Sequence, residues 1–153
     1  MKNKFAEPFV NSFLSVMPQL GFEDVHTGSI KEMGKTIESP GVIVILGVVG
    51  ELRGNVIYGM NEESAKKVAS TMMMGMEVTE FDAMAQSAVS ELSNMLTATA
   101  STEFTGLGIK TDISTPTLMY GDFSASASFE HVICIEMSAE NLPFYIYVSL
   151  EQN

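Results

Sequence analysis

The sequence predicts an α+β fold: a mixed, mainly antiparallel β-sheet with long helices packed on it. Three observations carry this. Two long segments place apolar residues at helical spacing, and two pairs of β-branched runs are separated by turn-forming residues. The order of helix, strand and hairpin also repeats approximately between the two halves, although the residues themselves barely match. No linker, low-complexity tract or shift in composition separates the halves. Residues 1–153 are therefore read as one domain with pseudo-two-fold symmetry.

The elements follow in order. Phe5, Phe9, Phe13, Val16 and Met17 recur at helical spacing between Phe5 and Leu20, with Pro8 early enough to be tolerated and Pro18 and Gly21 closing the segment. Val25 to Glu32 reads as a strand. Gly41–Val49 and Asn55–Met60 read as a hairpin joined through residues 50–54. Asn61 caps a helix that runs to Met72 and closes at Gly75. A longer helix is expected from Phe81 to Phe104, capped by Thr79 or Asp82, then a strand from Ile109 to Thr115. A second hairpin is expected to pair Ala125–Met137 with Pro143–Leu150, turning at residues 139–141.

Composition limits the function. The 153 residues carry a net charge of −11, which repels phosphate backbones and anionic lipid, so neither nucleic acid nor membrane is expected as a partner. The apolar run Val42–Val49 is too short to span a bilayer, and residues 1–5 do not lead into a signal-peptide core. Cys134 is the single cysteine and sits in an apolar run, so it reads as a buried thiol in a reducing cytoplasm. His26 and His131 lack metal-ligand spacing, so no metal site is expected. The methionines at 72, 73, 74 and 76 are assigned to the core, with an adaptable binding surface as the alternative.

The helix from Phe81 to Phe104 carries the functional reading. Ala85, Ala88, Val89, Leu92, Met95, Leu96 and Thr99 form its apolar stripe. Ser87, Glu91, Asn94 and Ala98 share a different face, roughly 130° from that stripe, and so should face solvent. Small residues flank the carboxylate and the carboxamide. No Lys or Arg lies between Lys67 and Lys110, so Glu91 has no helical salt-bridge partner. On spacing alone this is also an ordinary solvated helix face, because E-x-x-N is a common pair.

Ser87, Glu91 and Asn94, followed by twenty-one residues and then Pro116, reproduce a signature. It is the S/D-x3-E-x2-N-x21-or-22-P pattern of the CheC/CheX/FliY phosphatases, which the element order also resembles along essentially the whole chain. Members that carry the motif twice have one copy in each half. Here the first helix offers only Glu7 and Asn11, interrupted by Pro8, so the chain is CheX-like with one intact motif.

The resemblance implies a phosphatase that hydrolyses the aspartyl phosphate of a CheY-like response regulator. Asn94 would orient the attacking water, as a glutamine does in GTPases. Glu91 would dock on the regulator's lysine. Ser87 and Pro116 would support them by keeping the contact face small and shaping the strand end. The chain would need no cofactor of its own, since Mg²⁺ would be supplied in the regulator's active site. A homodimer is also implied, formed by strand pairing through an edge of the apolar C-terminal hairpin. The alternative is a non-catalytic module of the flagellar-switch type, which binds a partner and hydrolyses nothing.

Overall fold

The computed structural model describes residues 5–153. The reading of the N-terminus concerned residues 1–5, of which 1–4 lie outside the described part. The element order is α1 (Glu7–Leu20), β1 (His26–Met33), β2 (Thr36–Glu38), β3 (Val42–Gly50), β4 (Leu52–Met60), α2 (Glu62–Met72) and α3 (Ala83–Gly106) in the first stretch. It continues with β5 (Thr111–Ile113), β6 (Thr117–Tyr120), β7 (Ser124–Ser126), β8 (Val132–Ala139) and β9 (Leu142–Gln152).

The main sheet runs β1-β8-β9-β4-β3-β5, with β6 also pairing β3, and β2 pairs β7 in a separate ribbon. Every one of these pairings is antiparallel. The duplication is visible in that order. Each half contributes a hairpin, β3–β4 or β8–β9, and the hairpins meet where β4 pairs β9. The leading strand of each half then caps the other half's hairpin: β1 lies on β8, and β5 and β6 lie on β3. Neither half can complete its part of the sheet without the other.

This exchange overturns one expectation. The C-terminal hairpin has no free edge, because β9 lies between β8 and β4 and β8 lies between β1 and β9. The open edges belong to β1 and to β5 with β6. Two expected strands are also shorter than read. Ile109–Thr115 is interrupted after Ile113, and Ala125–Met137 divides into β7 and β8. The short β2 had no expected counterpart, since its hydrogen bonds go to β7 across the duplication.

Alternation along β3 separates two cores. Val42, Val44, Leu46 and Val48 face the helices, whereas Ile43 and Ile45 belong to a smaller cluster with Ile37 of β2 and Ala125 of β7. On the helix side, the Phe104 ring meets Phe5 and Phe9 edge-on at centroid separations of 6.4 and 5.9 Å, which locks α1 onto α3. Cys134 is buried, and burial pushes its thiol pKa up, so it stays protonated and inert.

The methionine run is not core as a whole. Met72 and Met73 pack partly against the core, but Met74 is 95% exposed and Met76 is 60% exposed. The reason is the end of α2. The Met74 N–H donates to the Thr71 carbonyl and the Gly75 N–H to the Ser70 carbonyl, a Schellman turn with Met74 itself left-handed at φ 61°. The helix therefore ends at Met72, the left-handed position falls on Met74, one residue before Gly75, and the chain turns away from the core.

Candidate functional site: a groove between helix α3 and the β5–β6 edge

Helix α3 begins where Asp82 accepts the Ala85 N–H at 3.0 Å, one of the two caps foreseen. Its buried face differs from the expected stripe in a specific way. Ser93 and Thr97 are buried and Thr99 is exposed. Both buried hydroxyls are satisfied locally: Ser93 donates to the Val89 carbonyl at 3.0 Å and Thr97 to the Ser93 carbonyl at 2.8 Å. Thr97 Oγ1 also lies 2.9 Å from the Tyr58 hydroxyl of β4. Burial drives the Tyr58 pKa far above its ordinary range, so the phenol stays neutral and the contact is a plain hydrogen bond. This polar seam fixes the rotation of α3 on the sheet, which sets where its outer face points.

That outer face carries Ser87, Glu91 and Ala98 exposed and Asn94 partly exposed. Among the described residues neither the Glu91 carboxylate nor the Asn94 amide has a hydrogen-bond or ion-pair partner. No buried side-chain polar atom is left unsatisfied among the described residues, so this pair is free because it is solvated.

The facing wall comes from the β5–β6 edge. β3 pairs Val48 with Ile113 and Ile45 with Thr117, so its two residues Leu46 and Gly47 stand opposite three, Ser114, Thr115 and Pro116. This is a β-bulge. Ser114 anchors it, accepting the Gly47 N–H on its hydroxyl at 2.8 Å and donating its own N–H to the Gly47 carbonyl at 3.0 Å. Pro116 has no N–H for the ladder, and the extra residue turns Thr115 and Pro116 toward α3. A second tie, Ser101 to Thr111 at 2.6 Å between hydroxyls, holds β5 against the helix further along.

Between these walls lies an open groove of about 620 Å³. Ser87, Glu91, Asn94 and Pro116 all line it, so the structure brings together every site residue singled out from the sequence. It adds Gln86 and Ser90 from the helix and Thr115 and Leu118 from the opposite strand. Ser90 is one of the small residues that flank the carboxylate in the sequence. Thr115 and Leu118 were missed, and the one signal available for Thr115 was its place next to Pro116. Gln86 is partly committed, donating from its amide to the Phe81 carbonyl at 3.0 Å.

The remnant motif of the first helix is placed differently. Asn11 of α1 donates its amide to the Glu103 carboxylate of α3 at 2.9 Å, a bond between the two helices. Among the described residues no cluster of three or more His, Cys, Asp or Glu side chains is arranged to hold a metal ion. No helix among them is long and apolar enough to cross a membrane.

Residues 42–138 match the family model described as "Chemotaxis phosphatase CheX". The chain is 35% identical over 103 residues to the CheY-P phosphatase CheX of Thermotoga maritima, covering 67% of this chain and 66%, just under two thirds, of that protein. Among solved structures, a CheC-like superfamily protein from Shewanella sp. PV-4 superposes with a TM-score of 0.86 at 22% identity, covering 99% of each chain. The CheX-CheY-BeF3-Mg²⁺ complex from Borrelia burgdorferi aligns with a TM-score of 0.79 at 25% identity, covering 97% of this chain and 99% of that one. A duplicated sheet with one intact motif helix and a family match over most of the chain agree, and the protein belongs to the chemotaxis phosphatase CheX family.

Proposed function

We propose that this protein is a chemotaxis-type phosphatase, a hydrolase that removes the phosphoryl group from the aspartate of a CheY-like response regulator. The observation that carries the reading is the solvated, unpartnered pair Glu91 and Asn94 projecting from one face of α3 into an open groove. The relative from Thermotoga maritima is a CheY-P phosphatase, and the Borrelia burgdorferi neighbour was solved bound to CheY, which supports a regulator as the partner.

The chemistry needs little from the phosphatase. A water oxygen forms a bond to phosphorus in line with the breaking P–O bond, the regulator's aspartate leaves as carboxylate, and the water's protons pass to phosphate and solvent. Positioning that water and stabilising charge make up most of the catalysis. Asn94 suits the task, since its amide both donates to and accepts from a water and is not consumed. Glu91 is unsuited to act as nucleophile, because a carboxylate beside a phosphoryl group repels it unless it is paired. Its role is to engage the regulator's lysine and so orient the two proteins. Ser87 keeps the helix face low enough for approach, and Pro116 shapes the opposite wall. Mg²⁺ belongs to the regulator, and the chain acts as one domain in the cytoplasm.

A homodimer fits the reading, but its strand pairing would run through the open β1 edge, since the C-terminal hairpin is enclosed. Light scattering that finds only monomer at micromolar concentration would remove it. The function is tested by following decay of a phosphorylated regulator with and without the protein. Faster decay is expected. Tight binding with unchanged decay would instead identify a non-catalytic interaction module.

A further inference from the structure

A second hollow adjoins the groove at the start of α3. It holds about 130 Å³ and is lined by Met73, Met76 and Met84 together with Glu77, Glu80 and Asp82. Met76 is 60% exposed and Met84 is 64% exposed, large apolar surfaces with water on them. Met84 stands three residues before Ser87, seven before Glu91 and ten before Asn94, so all four lie on one stripe of α3. The carboxylates are not neutralised from within the stretch, since no Lys or Arg occurs between Lys67 and Lys110.

Length decides whether one partner can cover both places. Ten residues of helix span about 15 Å, and a standard interface of about 800 Å² per partner is roughly 30 Å across. A protein seated with Asn94 near the middle of its contact therefore reaches Met84. The side chains also suit such a contact. Methionine is flexible and polarisable and packs against varied apolar surfaces, while the acidic rim favours a partner whose apolar patch is edged by Lys or Arg.

We propose that this methionine shelf is a docking surface for the same response regulator, gripping an apolar, basic-edged patch beside its phosphorylation site. The inference rests on the proposed function, since the regulator is the partner that the groove receives. Grip and chemistry are then separate: the shelf sets affinity, and Asn94 sets the rate within the complex.

The test uses the full chain with a CheY-like regulator from the same genome, loaded with beryllium fluoride and Mg²⁺ for binding and phosphorylated for turnover. The double variant Met76→Ser/Met84→Ser should raise Kd by about tenfold or more, as loss of an apolar anchor does at an interface. Its rate at saturating regulator should stay within about twofold of the parent, since the shelf is remote from the phosphoryl group. Glu77→Lys/Glu80→Lys should slow association and flatten its salt dependence. Both pairs are exposed, so melting temperatures should match the parent. Parental affinity in the methionine variant overturns the shelf while leaving the groove intact. A changed oligomeric state with unchanged regulator binding overturns it too, assigning the shelf to a second copy of this chain. A wild-type protein that neither binds nor dephosphorylates the regulator removes the function itself, and the shelf with it.

Discussion

The helices α1 and α3 hold equivalent places in a duplicated fold, and they treat their polar side chains in opposite ways. On α3 the amide of Asn94 and the carboxylate of Glu91 have no partner among the described residues and line an open groove. On α1 the amide of Asn11 is bonded to Glu103, and the outer face carries exposed Leu14. Pro8 in the first turn also removes an N–H from α1 and fixes its entry. A duplicated fold supplies two candidate sites. One has become helix-to-helix packing, and the other has kept its polar groups for a partner. Symmetry of the backbone therefore says little about symmetry of function, which is decided by whether a side chain is already satisfied.

The largest effect should come from breaking the seam between the two helices. Phe104→Ala removes a fully buried ring that meets both Phe5 and Phe9, and should cost about 3–5 kcal/mol of stability. Denaturant unfolding would measure it, and a loss under about 1 kcal/mol would mean that the helices are not held by this cluster.

Next comes Asn94→Ala. The rate of regulator dephosphorylation should fall by about 10²–10³-fold, the scale of losing one well-placed polar group in a transition state. Binding and the melting curve should be unchanged. Unaltered phosphate release would end the role given to Asn94. Glu91→Ala should act mainly on affinity, raising KM about tenfold with a smaller change in kcat, and its effect should weaken in high salt. A fall in kcat alone would move Glu91 from docking to chemistry.

Two small effects sharpen the contrast. Asn11→Ala should leave dephosphorylation untouched and cost about 0.5–1.5 kcal/mol at most, an exposed hydrogen bond to a carboxylate. Lost activity in that variant would show that α1 retains a second site. Finally, Tyr120 of β6 donates its hydroxyl to Glu62 of α2 at 2.6 Å, tying the groove's strand to the other half. This bond, with help from Lys66, lowers the Glu62 pKa. A lowered carboxylate pKa stabilises the fold above its unfolded value, and the stabilisation is lost as pH falls through the folded one. Tyr120→Phe should therefore lower neutral stability slightly and leave stability at low pH nearly unchanged, which flattens the acid limb of the profile measured by denaturant unfolding across pH.

The sequence determined the elements that depend on local rules. Apolar periodicity set the three helices, Asn61 and Asp82 marked two helix starts, and the turn at Glu140 and Asn141, both with positive φ, closed the last hairpin as read. It also determined that Ser87, Glu91 and Asn94 share one face, because helical geometry fixes that from spacing alone. Three features needed the tertiary structure. Which strands are edges followed from the exchange of β1 and β5–β6 between halves, a long-range pairing with no local signature. Burial of Ser93 and Thr97 in place of Thr99 followed from Tyr58 reaching across from β4, since a hydroxyl bonded back to its own helix can be buried at little cost. The groove itself exists only because a one-residue bulge aims Thr115 and Pro116 at α3. Spacing along one helix says which side chains travel together, and only the packing of a distant strand says what they face.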